Sequence, residues 1–377
     1  MKVQDFVDII GSDFYTGVPD SLLKELCDYL AAKYGCFSEK HIVAANEGNC
    51  MGIAAGYHLA TGKIPVVYMQ NSGQGNAVNP LASLLNEKVY GIPCILIVGW
   101  RGEPGVHDEP QHVFQGEITL ALLETMGIAY YVLDAEVKRE ELERVCRDFS
   151  VLLAKGRQVA LVVKKGALES DIHGSYRNGN QLLREQVLEQ IVRFTGSNPI
   201  VSTTGKASRE LFEIRERNGK GHSHDFLTVG SMGHSSSIAL EIAMQRPEVQ
   251  VWCIDGDGAL LMHMGSMAVI GKCKPDNLVH ILINNEAHES VGGIETAMGN
   301  VDLSMVARAC GYEAAESVSD ISDLIEKLEL ISRSRKLTFL EIKCQIGSRK
   351  DLGRPTGSAI ENKQAFMKML LGEEVRG

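Results

Sequence analysis

No stretch of this sequence approaches the ~18 consecutive apolar residues of a membrane-spanning helix, so a membrane partner is not expected. Paired cysteine spacing is missing as well: Cys27, Cys36, Cys50, Cys94, Cys146, Cys253, Cys273, Cys310 and Cys344 stand singly, with no C-x-x-C. An odd, scattered set argues against a disulfide framework and a zinc site. It fits small buried hydrophobes in a reducing compartment. Basic charge is in deficit, with 38 Lys and Arg against 48 Asp and Glu and a net charge of −10, which argues against nucleic acid as a partner. The opening MKVQDFVDIIGSDF has acidic residues where a signal peptide has a basic region and an apolar core, so a cytoplasmic location is expected. No G-x-G-x-x-G follows the first strand-like run, which removes a nucleotide-dependent dehydrogenase from the readings of an α/β chain.

What is present is a regular alternation. The 377 residues, 44% hydrophobic and 23% charged, suffice for two or three ordinary domains with their own cores. Apolar, β-branched runs at 41–45, 65–70, 94–99, 130–133 and 159–163 alternate with helical patterns at 20–33, 46–60 and 137–154. The segment 166–180, GALESDIHGSYRNGN, is polar and glycine-containing and reads as a linker. Strand-like runs then restart at 200–204, 226–229, 249–254, 279–283 and 337–342. Strands separated by helices of ten or more residues make parallel sheets. The expected fold is therefore α/β, with two similar parallel-sheet domains at 1–165 and 181–377.

The chemistry concentrates at strand ends, where open parallel sheets bind ligands. The run 249–254 leads into Gly256-Asp257-Gly258, and the run 279–283 into Asn284-Asn285. Glycines let the backbone approach phosphate oxygens, and a following helix offers its first N–H groups. Mg²⁺ takes oxygen ligands from one or two protein groups, with phosphates and water completing an octahedron. G-D-G alone is a common acidic turn, but paired with N-N at the end of the next strand it is specific. The plainer alternative is a turn aspartate and two capping asparagines. In the first half, the run 41–45 leads into Asn46-Glu47-Gly48 and a helix rich in small residues. Burial disfavours the charged form of a carboxyl group, which suits Glu47 to share a proton with a ring nitrogen; it could instead simply favour the helix dipole. Gly230-Ser231-Met232-Gly233 precedes another small-residue helix, with Met232 readable as core. Gln70 to Asn76, with Asn71 and Gly75 among them, read as a polar glycine loop after the second strand, or as a plain turn.

These motifs resemble those of the thiamine diphosphate-dependent decarboxylases. The resemblance implies thiamine diphosphate and Mg²⁺ as cofactors. It implies that Asp257, Asn285 and the carbonyl of Ala287 hold the metal, with Gly256 and Gly258 on the diphosphate. Glu47 would activate the aminopyrimidine. Met232, beside Gly230, would wedge a bent cofactor, and Asn71 and Gly75 would face it. The domain at 1–165 would bind the pyrimidine and that at 181–377 the diphosphate, joined directly at 166–180 without the middle domain of larger relatives. This compact layout is similar to the phosphonopyruvate and sulfopyruvate decarboxylases. The phrases FYTGVPDSLLKEL, QNSGQGNAVNPLASL, DEPQH, GDGALLMHMG and SRKDLGRPT point to the former. The adjacent His-His pair of pyruvate decarboxylase is absent, and His107 and His112 are its nearest substitutes. Asp20 matches the N-terminal active-site acid, and it also reads as an N-cap.

The reaction so implied is loss of CO₂ from a small anionic 2-oxo acid, 3-phosphonopyruvate, within phosphonate biosynthesis. Asp20 or a nearby histidine would be the proton donor. A phosphonate, like a phosphate monoester, carries about −1.5 to −2 charge, which on an acidic chain requires local cations. Candidates are Arg101 beside His107 and His112, then Lys206, Arg349 and Arg354, each also readable as a solvated surface charge. Gly205-Lys206-Ala207 is not a P-loop, since Ile200 and Ala207 replace its glycine and hydroxyl residue. Sulfopyruvate, or carboligation to a second ketone, would use the same cofactor residues and stays open. The resemblance further implies a homo-oligomer, at least a dimer, in which Glu47 and the G-D-G motif reach one cofactor from different subunits.

Overall fold

The computed structural model describes residues 1–372. The chain forms two units, Met1–Tyr176 with Val291–Glu295, and Arg177–Ser290 with the residues from Thr296 onward. In the first unit, β1 (Tyr15–Gly17), β2 (His41–Val43), β3 (Val66–Gln70), β4 (Cys94–Gly99), β5 (Ala129–Leu133) and β6 (Gln158–Val163) form one parallel sheet in the order β2-β1-β3-β4-β6-β5. The helices are α1 (Val3–Ile10), α2 (Lys24–Tyr34), α3 (Glu47–Thr61), α4 (Gln74–Pro80), α5 (Pro110–Thr125) and α6 (Arg139–Leu153). Strands buried on both faces read as unbroken apolar runs, and β4 (CILIVG) is such a run. Ile95 and Ile97 pack with Val159, Leu161, Leu26 and Phe149 on one face, while Cys94, Leu96 and Val98 pack with Val162, Met51 and Leu85 on the other.

The second unit repeats the plan. Its strands are β7 (Ile200–Ser202), β8 (Asp225–Leu227), β9 (Val251–Gly256) and β10 (Leu278–Asn284). After the two-residue strands β11 (Ala287–His288) and β12 (Ile294–Glu295, in the first unit's second piece) come β13 (Ala314–Val318) and β14 (Thr338–Lys343). The parallel sheet runs β13-β14-β10-β9-β7-β8. The helices that the site uses are α7 (Arg184–Thr195), α8 (Lys206–Arg217), α9 (Ser235–Gln245) and α10 (Asp257–Met262). Trp252, Ile254, Ile281 and Ile283 serve one face of this sheet, and Val251, Cys253, Leu278 and Leu282 the other.

Two parallel α/β sheets are the fold expected from the sequence. Two strands of these six-stranded sheets escaped that reading, as did the short pair β11 and β12: β1, only three residues long yet seated between β2 and β3, and β13, whose AAESV has no unbroken apolar run. The helix expected from residue 20 begins at Lys24, because Ser21–Leu23 form a turn. All nine cysteines are free and six are buried.

Candidate active site

In the first unit the loops leaving β1 to β4 carry the polar groups. Asn46 caps α3, its side chain accepting the N–H of Asn49 at 2.9 Å, and so sets Glu47 in the first helical turn. Glu47 is only 4% exposed, and its Oε2 accepts from Asn76 Nδ2 at 2.7 Å. Gly73 closes over the same carboxyl group so tightly that a Cβ there would collide with it. Asn71, also buried, ties the loop after β3 to the one after β4: its Nδ2 donates to the Arg101 carbonyl and to Thr119 Oγ1, both at 2.8 Å, and its Oδ1 accepts the Arg101 N–H at 3.2 Å. Gly75 is exposed in α4.

Asp20 is 1% exposed. Its Oδ1 accepts from Gln70 Nε2 at 2.6 Å, whereas Oδ2 has no hydrogen-bond partner and lies where a Cβ on Gly99 would collide. Burial pushes this carboxyl group up, against the Gln70 bond, the N–H groups of Leu22 and Leu23 and the Arg101 charge. Arg101 is clamped by Asp108, through Nε at 2.7 Å and Nη2 at 2.5 Å, and donates from Nη1 to Ser21 Oγ at 2.9 Å. The Arg101 bond holds Asp108 down at about 2. His112 is half-buried with Nδ1 unpartnered, and burial, reinforced by the Arg101 charge, pushes it down to about 4. His107 is exposed.

In the second unit Asp257 opens α10 and is 4% exposed. Its Oδ2 accepts from Thr296 Oγ1 at 2.7 Å. Burial pushes it up to about 7, against the Thr296 bond and the N–H groups of Gly258, Asp257 and Ala287. Asn285 and Ala287 are buried beyond β10. Asn285 Oδ1 accepts the Ala287 N–H at 3.2 Å, and its Nδ2 donates to Glu289 Oε2 at 2.9 Å. Between them Glu286 has φ +61°, a left-handed conformation uncommon outside glycine. Ser231, at φ +43° between Gly230 and half-buried Met232, is another. Strained backbone of this kind gathers at binding sites. The side chain of Met232 reaches Gly258, where a Cβ would lie 3.2 Å from its Cε and equally close to the His288 ring. Gly256 is half-buried ahead of Asp257.

The remaining cations are held in place. Lys206 donates to Glu289 Oε1 at 2.8 Å. Arg349 is bound by Glu213, by Glu185 at 2.9 Å and by Asp351 at 3.2 Å. Arg354 lies exposed in the following loop, whose backbone is anchored by Arg209, through the carbonyls of Leu352 and Gly353, and by Glu213, through the N–H of Gly353.

An oxygen-rich ligand and a hard cation fit the second sheet's carboxyl edge. Asp257, Asn285 and the Ala287 carbonyl offer only oxygen, the donor set of Mg²⁺. Thr203 Oγ1, Thr228 Oγ1, Ser235 Oγ and His288 Nε2 are buried there without a protein partner. Buried polar groups are nearly always satisfied, so four at one edge point to a polar ligand. Motif spacing did not reveal these four, nor Thr296 and Glu289, because long-range loop packing brings them in.

Comparison with known proteins places the chain in a family. Residues 4–123 match the family "Thiamine pyrophosphate enzyme, N-terminal TPP binding domain" and residues 203–342 match "Thiamine pyrophosphate enzyme, C-terminal TPP binding domain". The chain is 32% identical to a phosphonopyruvate decarboxylase of Streptomyces viridochromogenes, over 95% of this chain and 91% of that protein. It is also 32% identical to one of Streptomyces hygroscopicus, over 92% and 87%. A sulfopyruvate decarboxylase of Methanosarcina acetivorans is 28% identical, over 90% of each chain. With that identity along nearly its whole length, the chain belongs to the phosphonopyruvate decarboxylase family of thiamine pyrophosphate enzymes.

Proposed function

We propose that this chain is a thiamine diphosphate- and Mg²⁺-dependent carbon–carbon lyase that converts 3-phosphonopyruvate to phosphonoacetaldehyde and CO₂. The observation that carries the reading is the near full-length likeness to two phosphonopyruvate decarboxylases. When bound, thiamine diphosphate supplies a nucleophilic carbon and an electron sink for the pair released with CO₂. Asp257, Asn285 and the Ala287 carbonyl hold the Mg²⁺. Gly256, Gly258 and the unpartnered hydroxyls of Thr203, Thr228 and Ser235 receive the diphosphate. Gly230 and Met232 shape the cofactor's bend, and Asn71 and Gly75, in the helical turns after β3, face the pyrimidine. Glu47, with Oε2 taken by Asn76, keeps Oε1 to share a proton with the ring nitrogen. His112, neutral at pH 7, and the free oxygen of Asp20 are the proton-transfer candidates, with His107 as an exposed alternative.

Arg354 is the proposed phosphonate ligand, on a loop that Arg209 and Glu213 anchor. Arg101, Lys206 and Arg349, which carboxylates hold in place, are the further candidates for the substrate's charge. The active enzyme is a homo-oligomer, Glu47 of one subunit and Asp257 of another serving one cofactor. It acts in the cytoplasm.

The likeness to the Methanosarcina protein favours one second reading, a sulfopyruvate decarboxylase. One assay tests both. With thiamine diphosphate and Mg²⁺, phosphonopyruvate should show the highest kcat/KM against sulfopyruvate and pyruvate offered in parallel. A preference for sulfopyruvate would replace the first reading with the second, and a preference for pyruvate would overturn both.

A further inference from the structure

Glu289 lies beyond every motif described above, at the start of the short turn Glu289–Val291. Its carboxylate is nearly buried, with side-chain exposure of 8%. Three groups donate to it: Asn285 Nδ2 to Oε2 at 2.9 Å, Arg184 Nη1 to Oε2 at 2.5 Å, and Lys206 Nζ to Oε1 at 2.8 Å. Arg184 is gripped on its other side by Glu210, through two bonds of 2.8 Å. Two cations thus face two carboxylates, and the cluster is neutral as a whole. It fastens the loop after β10 to the first turns of α7 and α8.

The chemistry of the contact is one-sided. An ionised carboxylate only accepts hydrogen bonds, whereas an asparagine amide offers a donor at one end and an acceptor at the other. Facing Glu289, Asn285 can turn only its Nδ2 that way, so Oδ1 points to the opposite side, beside the Ala287 N–H. Without that partner only the 3.2 Å bond from the Ala287 N–H to Oδ1 opposes reversal, and a reversed amide presents N–H groups to a cation. We propose that Glu289 is the positioning residue of the cation site, locking the Asn285 amide so that oxygen rather than nitrogen is offered to the metal. Lys206 and Arg184 hold the lock and balance its charge. The inference rests on the metal reading given under the proposed function.

Partners that orient a metal ligand typically contribute about 10–100-fold to metal affinity. Mn²⁺ replaces Mg²⁺ as the probe, and free Mn²⁺ is counted by electron paramagnetic resonance in the presence of thiamine diphosphate, with no substrate. Glu289→Gln should weaken Mn²⁺ binding about tenfold or more, because an amide partner accepts either orientation of Asn285 and the cluster gains a net positive charge. The exchanged pair Asn285→Asp with Glu289→Gln should bind Mn²⁺ more tightly than either single variant: a carboxylate at 285 shows oxygen whichever way it turns, and an amide at 289 can donate to it. A purely structural role for Glu289 would not produce that reciprocal rescue. Wild-type Mn²⁺ affinity in Glu289→Gln, with Asp257→Ala impaired, would overturn the lock alone. Wild-type affinity in Asp257→Ala would overturn the metal reading and the lock with it. Should Glu289→Gln fail to fold, the exchanged pair keeps one carboxylate and one amide across the same gap, and its failure to exceed Asn285→Asp in Mn²⁺ affinity would overturn the proposal.

Discussion

The two sheets use one topology twice. The first runs β2-β1-β3-β4-β6-β5, and the second, taken from its other edge, runs β8-β7-β9-β10-β14-β13, so each strand has a counterpart. The polar residues do not follow that correspondence. The loop after β2 carries Glu47, while its counterpart after β8 carries Gly230 and Met232. β9 leads straight into Asp257, the first residue of α10, while its counterpart β3 leads into Asn71 and Gly73. The first edge closes tightly on its acid, with Asn76 bonded to Glu47 and Gly73 pressed against it. The second leaves hydroxyls and an imidazole nitrogen unpartnered. One scaffold thus offers two environments: a closely packed carboxyl group, and a set of oxygens and hydroxyls left without protein partners.

The largest expected effect tests the first environment. Glu47→Gln should lower kcat by about 10²–10⁴-fold, the range for general acid–base groups, while calorimetry shows thiamine diphosphate affinity within a few-fold of wild type. A variant that loses the cofactor as well would make Glu47 a binding residue and erase the contrast. In the second environment, if Asp257 helps to hold a Mg²⁺ on the diphosphate as proposed, Asp257→Ala should weaken Mg²⁺ and thiamine diphosphate together by about tenfold or more. Asn285→Ala, losing a neutral ligand, should do so more mildly. Unchanged cofactor affinity in Asp257→Ala would refute the metal role.

A smaller and more selective effect is expected at Arg354. One charge-assisted bond is worth roughly 1.5–3 kcal/mol, so Arg354→Ala should cut kcat/KM for phosphonopyruvate by about 10–100-fold and spare any slow turnover of pyruvate. Equal losses on both substrates would assign Arg354 to support of the fold or the cofactor.

The fold was legible because strands such as β4 and β10 are buried on both faces and read as unbroken apolar runs. β1 was not: three residues carry no periodicity, and its place beside β3 comes from pairing. Among the proposed site residues, Glu47, Asp257 and Asn285 were picked out because each comes shortly after an apolar run. Glu289 and Thr296 were not, since their contacts with Asn285 and Asp257 are made by side chains on a loop that no local pattern describes. Cysteine spacing was equally silent about Cys253, Asp255 and His280. Their ligand atoms lie within 4.8 Å of one another because β9 and β10 are neighbours.

The smallest expected effect concerns Asp20, the carboxyl group at the first edge that is only half satisfied. Its folded-state pKa is raised by burial, against the Gln70 bond, the neighbouring N–H groups and the Arg101 charge. A carboxyl group of this kind favours folding most when protonated. Its contribution is fully present below the unfolded value near 3.9 and is lost as pH rises through the folded value. Asp20→Asn removes the ionisation but keeps an oxygen for Gln70. Its new amide N–H₂ takes the place of Oδ2, which has no partner, and the resulting penalty is the same at every pH. The melting temperature of the cofactor-free variant, measured against wild type, should therefore become more favourable between pH 4.5 and pH 7.5, by about 2–4 °C per kcal/mol of lost ionisation cost. Melting curves that differ by a constant amount across that range would show that Asp20 pays no desolvation cost in the fold, and the half-satisfied carboxyl group would no longer set the first edge apart from the second.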